Sequence, residues 1–362
     1  MRIDRLQIEH FRLFERIELS LEPGLNLLLG GNGAGKTSVL EAVYLLAYGR
    51  SFRGAVRDGL IRRGQNALRV FAEVSDAAGQ NRRLGVERGV REWQARIDGQ
   101  AVPGLSEVYR QIAVVCFEPG SHALIAGGSE HRRRFLDWAL FHVEPEFLPI
   151  WRRCQRALKQ RNALLKSGAT DATGLDAFES ELAEAGERLT ALREAYLLRL
   201  APRLSAMANH FLPELGGLTL RYQRGWSRES GPLLQALCAS RSRDGLLGHT
   251  TVGPHRADWS LGYEQLPSRE TFSRGQEKLT ALACVLAQAE GFAAECGHWP
   301  ILCLDDLASE LDRAHLALAL ERLLTVPAQL LLTGTEAPVE LSAWRGSLAR
   351  FHVEQGRIER LL

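Results

Sequence analysis

Gly30-Gly31-Asn32-Gly33-Ala34-Gly35-Lys36-Thr37 fits the pattern G-x-x-x-x-G-K-[ST] in full. Glycines at 30, 31, 33 and 35 let backbone N–H groups turn inward around phosphate oxygens, and a helix starting near Lys36 would aim its positive end at the same place. Lys36 is then set to reach the β and γ phosphates of a nucleoside triphosphate and Thr37 to ligand Mg²⁺, with Ser38 extending the binding run. Ile301-Leu302-Cys303-Leu304-Asp305-Asp306 reads as an apolar strand ending in two carboxylates. Asp305 suits Mg²⁺ coordination through water, and Asp306 stands where a general base or water-positioning group is needed, so Lys36, Asp305 and Asp306 are the expected catalytic set. Ser273-Arg274-Gly275-Gln276 opens a helix whose apolar face runs Leu279, Leu282, Ala283 and Leu286. Ser273 with Gln276 three residues on is also a capping box, so a purely structural reading stands beside the reading that Ser273 binds a γ-phosphate.

The elements that must position these groups follow from periodicity. Ile3, Leu6 and Ile8, then Ile17, Leu19 and Leu21, alternate as two half-buried strands, and Leu25, Leu27, Leu28 and Leu29 form a buried one. Val39, Leu40, Val43, Tyr44 and Leu46 have helical spacing, so a buried strand feeds a helix through the glycine-rich turn. Residues 68–97 read as short alternating strands with turn pairs such as Asp98-Gly99 beyond them, which predicts a mainly antiparallel subsheet. Helices are expected over 129–143, 144–167 and 175–211, and two short strands close the chain. The predicted organisation is one nucleotide-binding core made of 1–127 and 245–362, interrupted by a helical lobe over 128–244.

The 362 residues are 45% hydrophobic and 24% charged with a net charge of +2, which excludes disordered and disulfide-scaffold classes. The near-neutral total hides segregation. Residues 50–96 carry eleven Arg against five acids, and 132–166 carry nine basic residues against three acids. Only four of the 45 basic residues are lysines, and none of the three outside the phosphate loop sits in the [NT]-K-x-D context that reads guanine, so guanine specificity is not expected. Six scattered cysteines read as reduced thiols. Cys296, His298 and Cys303 come nearest to a metal cluster, but Cys303 belongs to a buried strand, which argues against zinc. Continuous apolar runs fall short of the ~18 residues a membrane span needs, and MRIDRLQIEH has no apolar signal region, so a cytoplasmic protein without membrane partners is expected.

Ser273-Arg274-Gly275-Gln276 resembles the signature of ABC-type ATPases, and Ser309-Glu310-Leu311-Asp312 resembles the D-loop that follows the acidic strand in that superfamily. Some 236 residues separate Thr37 from Ser273, which resembles the DNA-repair branch better than transporters. Within that branch the chain is similar to the RecF family over essentially its full length. The matching segments include His10-Phe11-Arg12, Gly49-Arg50-Ser51-Phe52-Arg53, Arg132-Arg133-Arg134-Phe135-Leu136-Asp137, Gly253-Pro254-His255-Arg256 and Asp305-Asp306-Leu307-Ala308-Ser309-Glu310-Leu311-Asp312.

The resemblance implies an α/β fold: an ABC-type ATPase head with an antiparallel β subdomain and an inserted α-helical lobe. It also implies an ATP-dependent homodimer in which Ser273, with Arg274, Gly275 and Gln276, binds the partner's ATP, while Ser309 and Asp312 serve the D-loop. The dimer would bind DNA at gaps or single/double-strand junctions, hydrolyse ATP weakly in a Mg²⁺-dependent way as a switch, and help RecO and RecR place RecA during repair and replication restart. Two departures stand out. No glutamine can be placed where the Q-loop should follow Val114-Val115-Cys116-Phe117, and Thr333-Gly334-Thr335 replaces the switch histidine of transporters.

Arg50, Arg53, Arg57, Arg62, Arg63, Arg132, Arg133 and Arg134, and further along Arg152, Arg153, Arg156 and Arg161, are candidate contacts to DNA phosphates, with a solvated or ion-paired surface as the alternative. Arg12 is an expected ATP contact, and His255 and Arg256 stand between a nucleotide role and a plain loop. The functional alternatives are a transporter-type ATPase subunit coupled to a membrane partner, disfavoured by the long insertion, and an adaptor that uses ATP only as a switch.

Overall fold

A computed structural model describes the chain except residues 54–58, 77–78, 91, 168–171, 269–270 and 362. It divides into two units, Met1–His122 with Arg274–Leu362, and Ala123–Ser273.

The first unit begins with β1 (Arg2–Phe11) and β2 (Phe14–Ser20), followed by β3 (Leu25–Leu29), α1 (Lys36–Tyr48), β4 (Ala67–Ser75), β5 (Asn81–Gly89), β6 (Trp93–Ile97), β7 (Gln100–Ala101), α2 (Leu105–Tyr109) and β8 (Val114–Phe117). The second contains α3 (Ala123–Ala126), α4 (Ser129–Val143), α5 (Phe147–Ser167), α6 (Ala172–Phe211), β9 (Leu218–Gln223), α7 (Leu233–Leu247) and β10 (Asp258–Tyr263). The chain then returns to the first unit with α8 (Arg274–Cys296), β11 (Ile301–Leu304), α9 (Leu307–Glu310), α10 (Arg313–Leu324), β12 (Leu330–Gly334), β13 (Leu348–Glu354) and β14 (Arg357–Arg360).

Two six-stranded sheets share the first unit. One is antiparallel in the order β2-β1-β4-β5-β6-β7, and its strands alternate buried with exposed residues because one face meets the core. The other runs β14-β13-β3-β12-β11-β8 and is parallel except at β14. Its strands are apolar throughout because both faces are covered: Ile301, Leu302, Cys303 and Leu304 are each at most 2% exposed. α1 shares one hydrophobic cluster with both sheets. Gln329, just before β12, ties them together: its amide accepts from the Ile3 N–H at 2.8 Å and donates to the carbonyls of Ile3 at 2.8 Å and Glu22 at 2.9 Å. A buried amide with every bond made fixes register without stranding a polar group.

α8 is apolar enough to cross a bilayer by length and composition, yet 72% of its most apolar window is buried inside the fold. Its hydrophobicity is used up by the core, the usual origin of such a segment in a globular domain.

The second unit ends at Ser273, not near residue 244, and starts at 123 rather than 128. β10, which falls in the stretch expected to belong to the core from residue 245, instead pairs within the lobe: β9 and β10 form an antiparallel ladder from Leu218↔Tyr263 to Gln223↔Asp258. The helices fall where periodicity placed them, with α6 longest at 40 residues, about 60 Å at 1.5 Å per residue.

Candidate nucleotide site

β3 points its carboxyl end at the phosphate loop. Gly30 has φ 154°, and a Cβ there would stand 2.1 Å from the Val353 carbonyl oxygen on β13, so only glycine fits. Gly33 and Gly35 follow at φ 76° and 116°, turning the chain into α1, whose first turn carries no acid to compete for an anion. Lys36 is 8% exposed, and its Nζ donates to the carbonyls of Gly30 at 2.7 Å and Gly31 at 2.8 Å. Two of its three N–H groups therefore hold the loop's own curvature.

Asp305 ends β11 beside this loop and is 2% exposed. Its Oδ1 accepts from Thr37 Oγ1 at 2.8 Å and from Thr333 Oγ1 at 2.7 Å, so α1, β11 and β12 meet at one carboxylate oxygen. Burial pushes the Asp305 carboxyl above its ordinary range, although the two hydroxyls and the Arg53 charge pull the other way. An oxygen donor set of one hydroxyl and one carboxylate suits Mg²⁺, with Thr37 and Asp305 as the residues that would hold it. Asp306 has φ 51°, its backbone N–H donates to Thr333 Oγ1 at 2.9 Å, and its side chain turns into the cavity over the loop. That cavity has a volume of about 550 Å³, within the range of small-molecule sites. The loop residues Asn32 to Ser38 form its floor.

Arg12 lines the same cavity at φ 54°. Its guanidinium donates to both oxygens of Glu41 on α1, at 2.9 and 2.6 Å, and to the Gly59 carbonyl at 2.8 Å. Glu41 is fully buried and also accepts from Ser51 Oγ, which in turn accepts the Arg53 N–H at 2.9 Å. One buried carboxylate thus anchors the two segments that carry Arg12 and Arg53 to the phosphate-loop helix.

Sequence reading missed Glu41, Thr333 as a carboxylate partner, and Glu118. Glu118 follows β8, whose Phe117 pairs with Leu304, so it stands beside Asp305. It occupies the place where no glutamine was found. Burial raises its carboxyl, and the charges of Asp305 and Glu310 add to that rise against the Gly120 N–H and His122. The Glu41 signal lay in the sequence as an acid at a core-facing helical position.

Ser273, Arg274 and Gly275 are exposed at the start of α8 and Gln276 is half-buried, and among the described residues none of the four lines the cavity. Lys278, one turn into α8, bonds Glu310 Oε2 at 2.8 Å and so ties the signature helix to the segment after Asp306. Within that segment the Ser309 N–H donates to the Asp306 carbonyl at 2.9 Å, while Asp312 caps α10 by accepting from the His315 N–H at 3.0 Å. Ser309 and Asp312 are both exposed.

The arginines expected on DNA have diverse surroundings. Arg53 and Arg63 line the cavity. Arg62 bonds Glu15 at 3.0 Å. Arg50 stands by Tyr44, whose hydroxyl burial pushes up to about 12 against the Arg50 charge. Arg57 lies outside the described residues. Arg132 is 2% exposed, bonded to both Asp258 oxygens at 2.6 and 3.0 Å and to the Gly127 carbonyl at 2.7 Å, so it has no face left for a phosphate. Arg133 bonds Ser129 Oγ at 2.7 Å and the Ala257 carbonyl at 2.8 Å, and exposed Arg134 pairs with Glu130. Arg161 is fully buried, and Arg153 pairs with Glu181 and Glu184. His255 lies in the second unit, with its Nε2 3.0 Å from the Thr250 carbonyl.

Residues 2–356 match the family described as RecF/RecN/SMC N terminal domain. A DNA replication and repair protein RecF from Stenotrophomonas maltophilia is 54% identical over 99% of both chains, and one from Azotobacter vinelandii is 40% identical over 99% of this chain and 98% of its own. A solved structure described as the recombination mediator protein RecF-ATP in the RecFOR pathway superposes with TM-score 0.88 at 26% identity, covering 99% of this chain and 97% of that one. An Smc head domain from Pyrococcus furiosus shares the fold at TM-score 0.59 and 14% identity. The chain therefore belongs to the RecF family of DNA replication and repair proteins, with the α/β head fold of the ABC-type and SMC-like ATPases.

Proposed function

We propose that this chain is an ATP-dependent DNA-binding recombination mediator whose ATP-bound homodimer holds DNA at gaps or single/double-strand junctions and, with RecO and RecR, assists RecA loading. One observation carries the reading: the cavity is lined by the phosphate loop, by Thr37, whose hydroxyl bonds the buried Asp305, and by Asp306, but among the described residues by none of Ser273, Arg274, Gly275 or Gln276. A triphosphate on the loop is left for a second copy's Ser273 to cover, so ATP contacts the dimer in a way it does not contact the monomer. Only such differential contact can drive closure, and shifting an equilibrium from 1:99 to 99:1 takes about 5.5 kcal/mol.

Lys36 exchanges loop carbonyls for phosphate oxygens. Thr37 and Asp305 would hold Mg²⁺, which would supply neutralisation of triphosphate charge. Asp306 orients the attacking water. Its carboxylate is one methylene shorter than the glutamate common in transporters, in keeping with slow turnover that resets the dimer. DNA contact is by arginine to backbone phosphate, without base reading. The protein works in the cytoplasm.

Sedimentation of wild type and Ser273→Arg with and without Mg-ATP, with a gapped duplex at two salt concentrations, tests this. Dimers that need ATP and hold DNA, both lost in the variant and weakened by salt, are expected. A protein that binds ATP yet stays monomeric and ignores DNA would overturn the clamp.

A further inference from the structure

We infer that a groove on the first unit, sharing no residue with the phosphate-loop cavity, docks a segment of a partner protein that presents an arginine between apolar side chains. One wall is α10. Leu316, Ala319, Leu320 and Leu323 turn that helix toward the core and are buried. Ala317, Glu321 and Leu324, at four- and three-residue spacing, share a line along the side left open. The facing wall is the 3-10 turn Val339–Ala343 with the residues after it, which bring Glu340 and Trp344. The groove between them has a volume of about 650 Å³, room for one long side chain and its neighbours.

The bed of the groove is apolar and its acids are unmatched. The Trp344 ring is fixed: its Nε1–H donates to the Ser347 carbonyl at 3.0 Å, and Cβ atoms at Gly346 and Gly24 would stand 2.4 and 3.1 Å from its Cζ2. Arg345 does not neutralise the acids, because its guanidinium turns back to the carbonyls of Ser342 at 2.9 Å and Trp344 at 3.2 Å. Arg322, next to Glu321 in the chain, is taken by Glu290. Among the described residues no cation pairs with Glu321 or Glu340, and nothing donates to either carboxylate. Two carboxylates without cations repel a phosphate backbone, so nucleic acid is the wrong occupant. A guanidinium is the right one: its plane stacks on an indole, its fork matches carboxylate oxygens, and its aliphatic stem lies along apolar surface such as Ala317 and Leu324. Apolar neighbours on either side of that arginine would cover the rest of the bed.

The test titrates the full chain with an acetylated, amidated Leu-Arg-Leu peptide, and separately with Leu-norleucine-Leu and with a short single-stranded DNA. The amide resonances of α10 and the Trp344 indole N–H are followed by NMR, the indole assigned by its loss in Trp344→Phe. The arginine peptide is expected to move these resonances at about millimolar concentration, the scale that one stacked cation and two exposed ion pairs support. The norleucine peptide should bind roughly tenfold more weakly. Glu321→Gln, Glu340→Gln and Trp344→Leu should each weaken the arginine peptide about two- to fivefold. Glu359→Gln, at an exposed acid of β14 outside the groove, should leave it unchanged. Unfolding midpoints in urea equal to wild type in the two glutamine variants show that a lost contact, not a lost fold, is read. No shift at millimolar peptide, equal affinity for the norleucine peptide, or wild-type affinity in both glutamine variants overturns the assignment. So does DNA that moves the same resonances, which would give the groove to nucleic acid. None of these outcomes bears on the nucleotide site.

Discussion

Arg161→Met should loosen the helical unit without touching the nucleotide site. Arg161, Glu179 and Asp244 are each fully buried. The guanidinium donates to Glu179 at 3.0 Å, Asp244 at 2.7 Å and Thr250 Oγ1 at 2.8 Å, which joins α5, α6, α7 and the segment after α7. Removing one partner of such a network leaves buried charge uncompensated and costs about 3–5 kcal/mol. At 1.4 kcal/mol per tenfold, amide protection at the centre of α5 and α7 should fall by roughly two to three and a half decades. Arg161→Lys should lose most of this too, since a single ammonium cannot reach across the same fork of partners. Neutralising the carboxylates alongside, in Arg161→Met with Glu179→Gln and Asp244→Asn, should recover a large part because no charge is stranded. Hydrogen exchange read by mass spectrometry, with Mg-ATP binding as the control, decides the matter. Protection within tenfold of wild type in Arg161→Met would show that the arginine is not the keystone its burial indicates, and would reopen its role as a DNA contact.

Arg12→Ala strands the buried Glu41 in the same way, so it should lower stability by about 3–5 kcal/mol as well as weaken ATP, and Arg12→Ala with Glu41→Gln should regain stability but not ATP affinity; urea midpoints with and without nucleotide separate the two losses. Gly30→Ala drives a methyl into the Val353 carbonyl, and calorimetry should find Mg-ATP binding abolished or reduced more than tenfold. Acid should destabilise the helical unit through His255, which burial, with the charges of Arg256 and Arg133, pushes down to about 4 despite its Thr250 carbonyl partner. A histidine neutral when folded contributes stability that is present above its ordinary 6.5 and lost as pH falls toward 4, so His255→Gln should flatten the pH dependence of the urea midpoint in that window. Asp305 has the opposite sign: its raised carboxyl favours the folded protein as pH falls toward 3.8, while Mg-ATP binding, which needs the carboxylate, weakens over the same interval.

How far the sequence carried can be seen at particular residues. The phosphate loop was legible because its glycines, lysine and threonine act through local backbone, and the strand before it and the helix after it follow from short-range periodicity. Asp305 was legible for the same reason, but Thr333 was not, since its role depends on β12 lying next to β11. The end of the helical unit was misplaced because β10 is indistinguishable from a core strand until it is seen to pair with β9. Arginines were hardest. Arg132 and Arg161 sit in the same kind of basic run as Arg134 and Arg156, and only the positions of Asp258, Glu179 and Asp244, supplied from distant segments, bury them. Neighbours Arg62 and Arg63 diverge because a short ladder with residues 10–12 sends them to opposite faces, a pairing too brief to leave a pattern in the text.

The strand that carries the phosphate loop lies between β12 and β13, whose residues pair with it from Leu330 and Leu348 onward. During synthesis at about 5–20 residues per second, β3 leaves the ribosome and waits on the order of 15–60 s for either neighbour to be made. Through that interval its leucines have no sheet to join, while Ala123–Ser273 contains all its own partners and can finish earlier. A nascent chain halted anywhere before Leu330 therefore has its complete phosphate-loop sequence without either of the strands that flank β3 in the finished sheet.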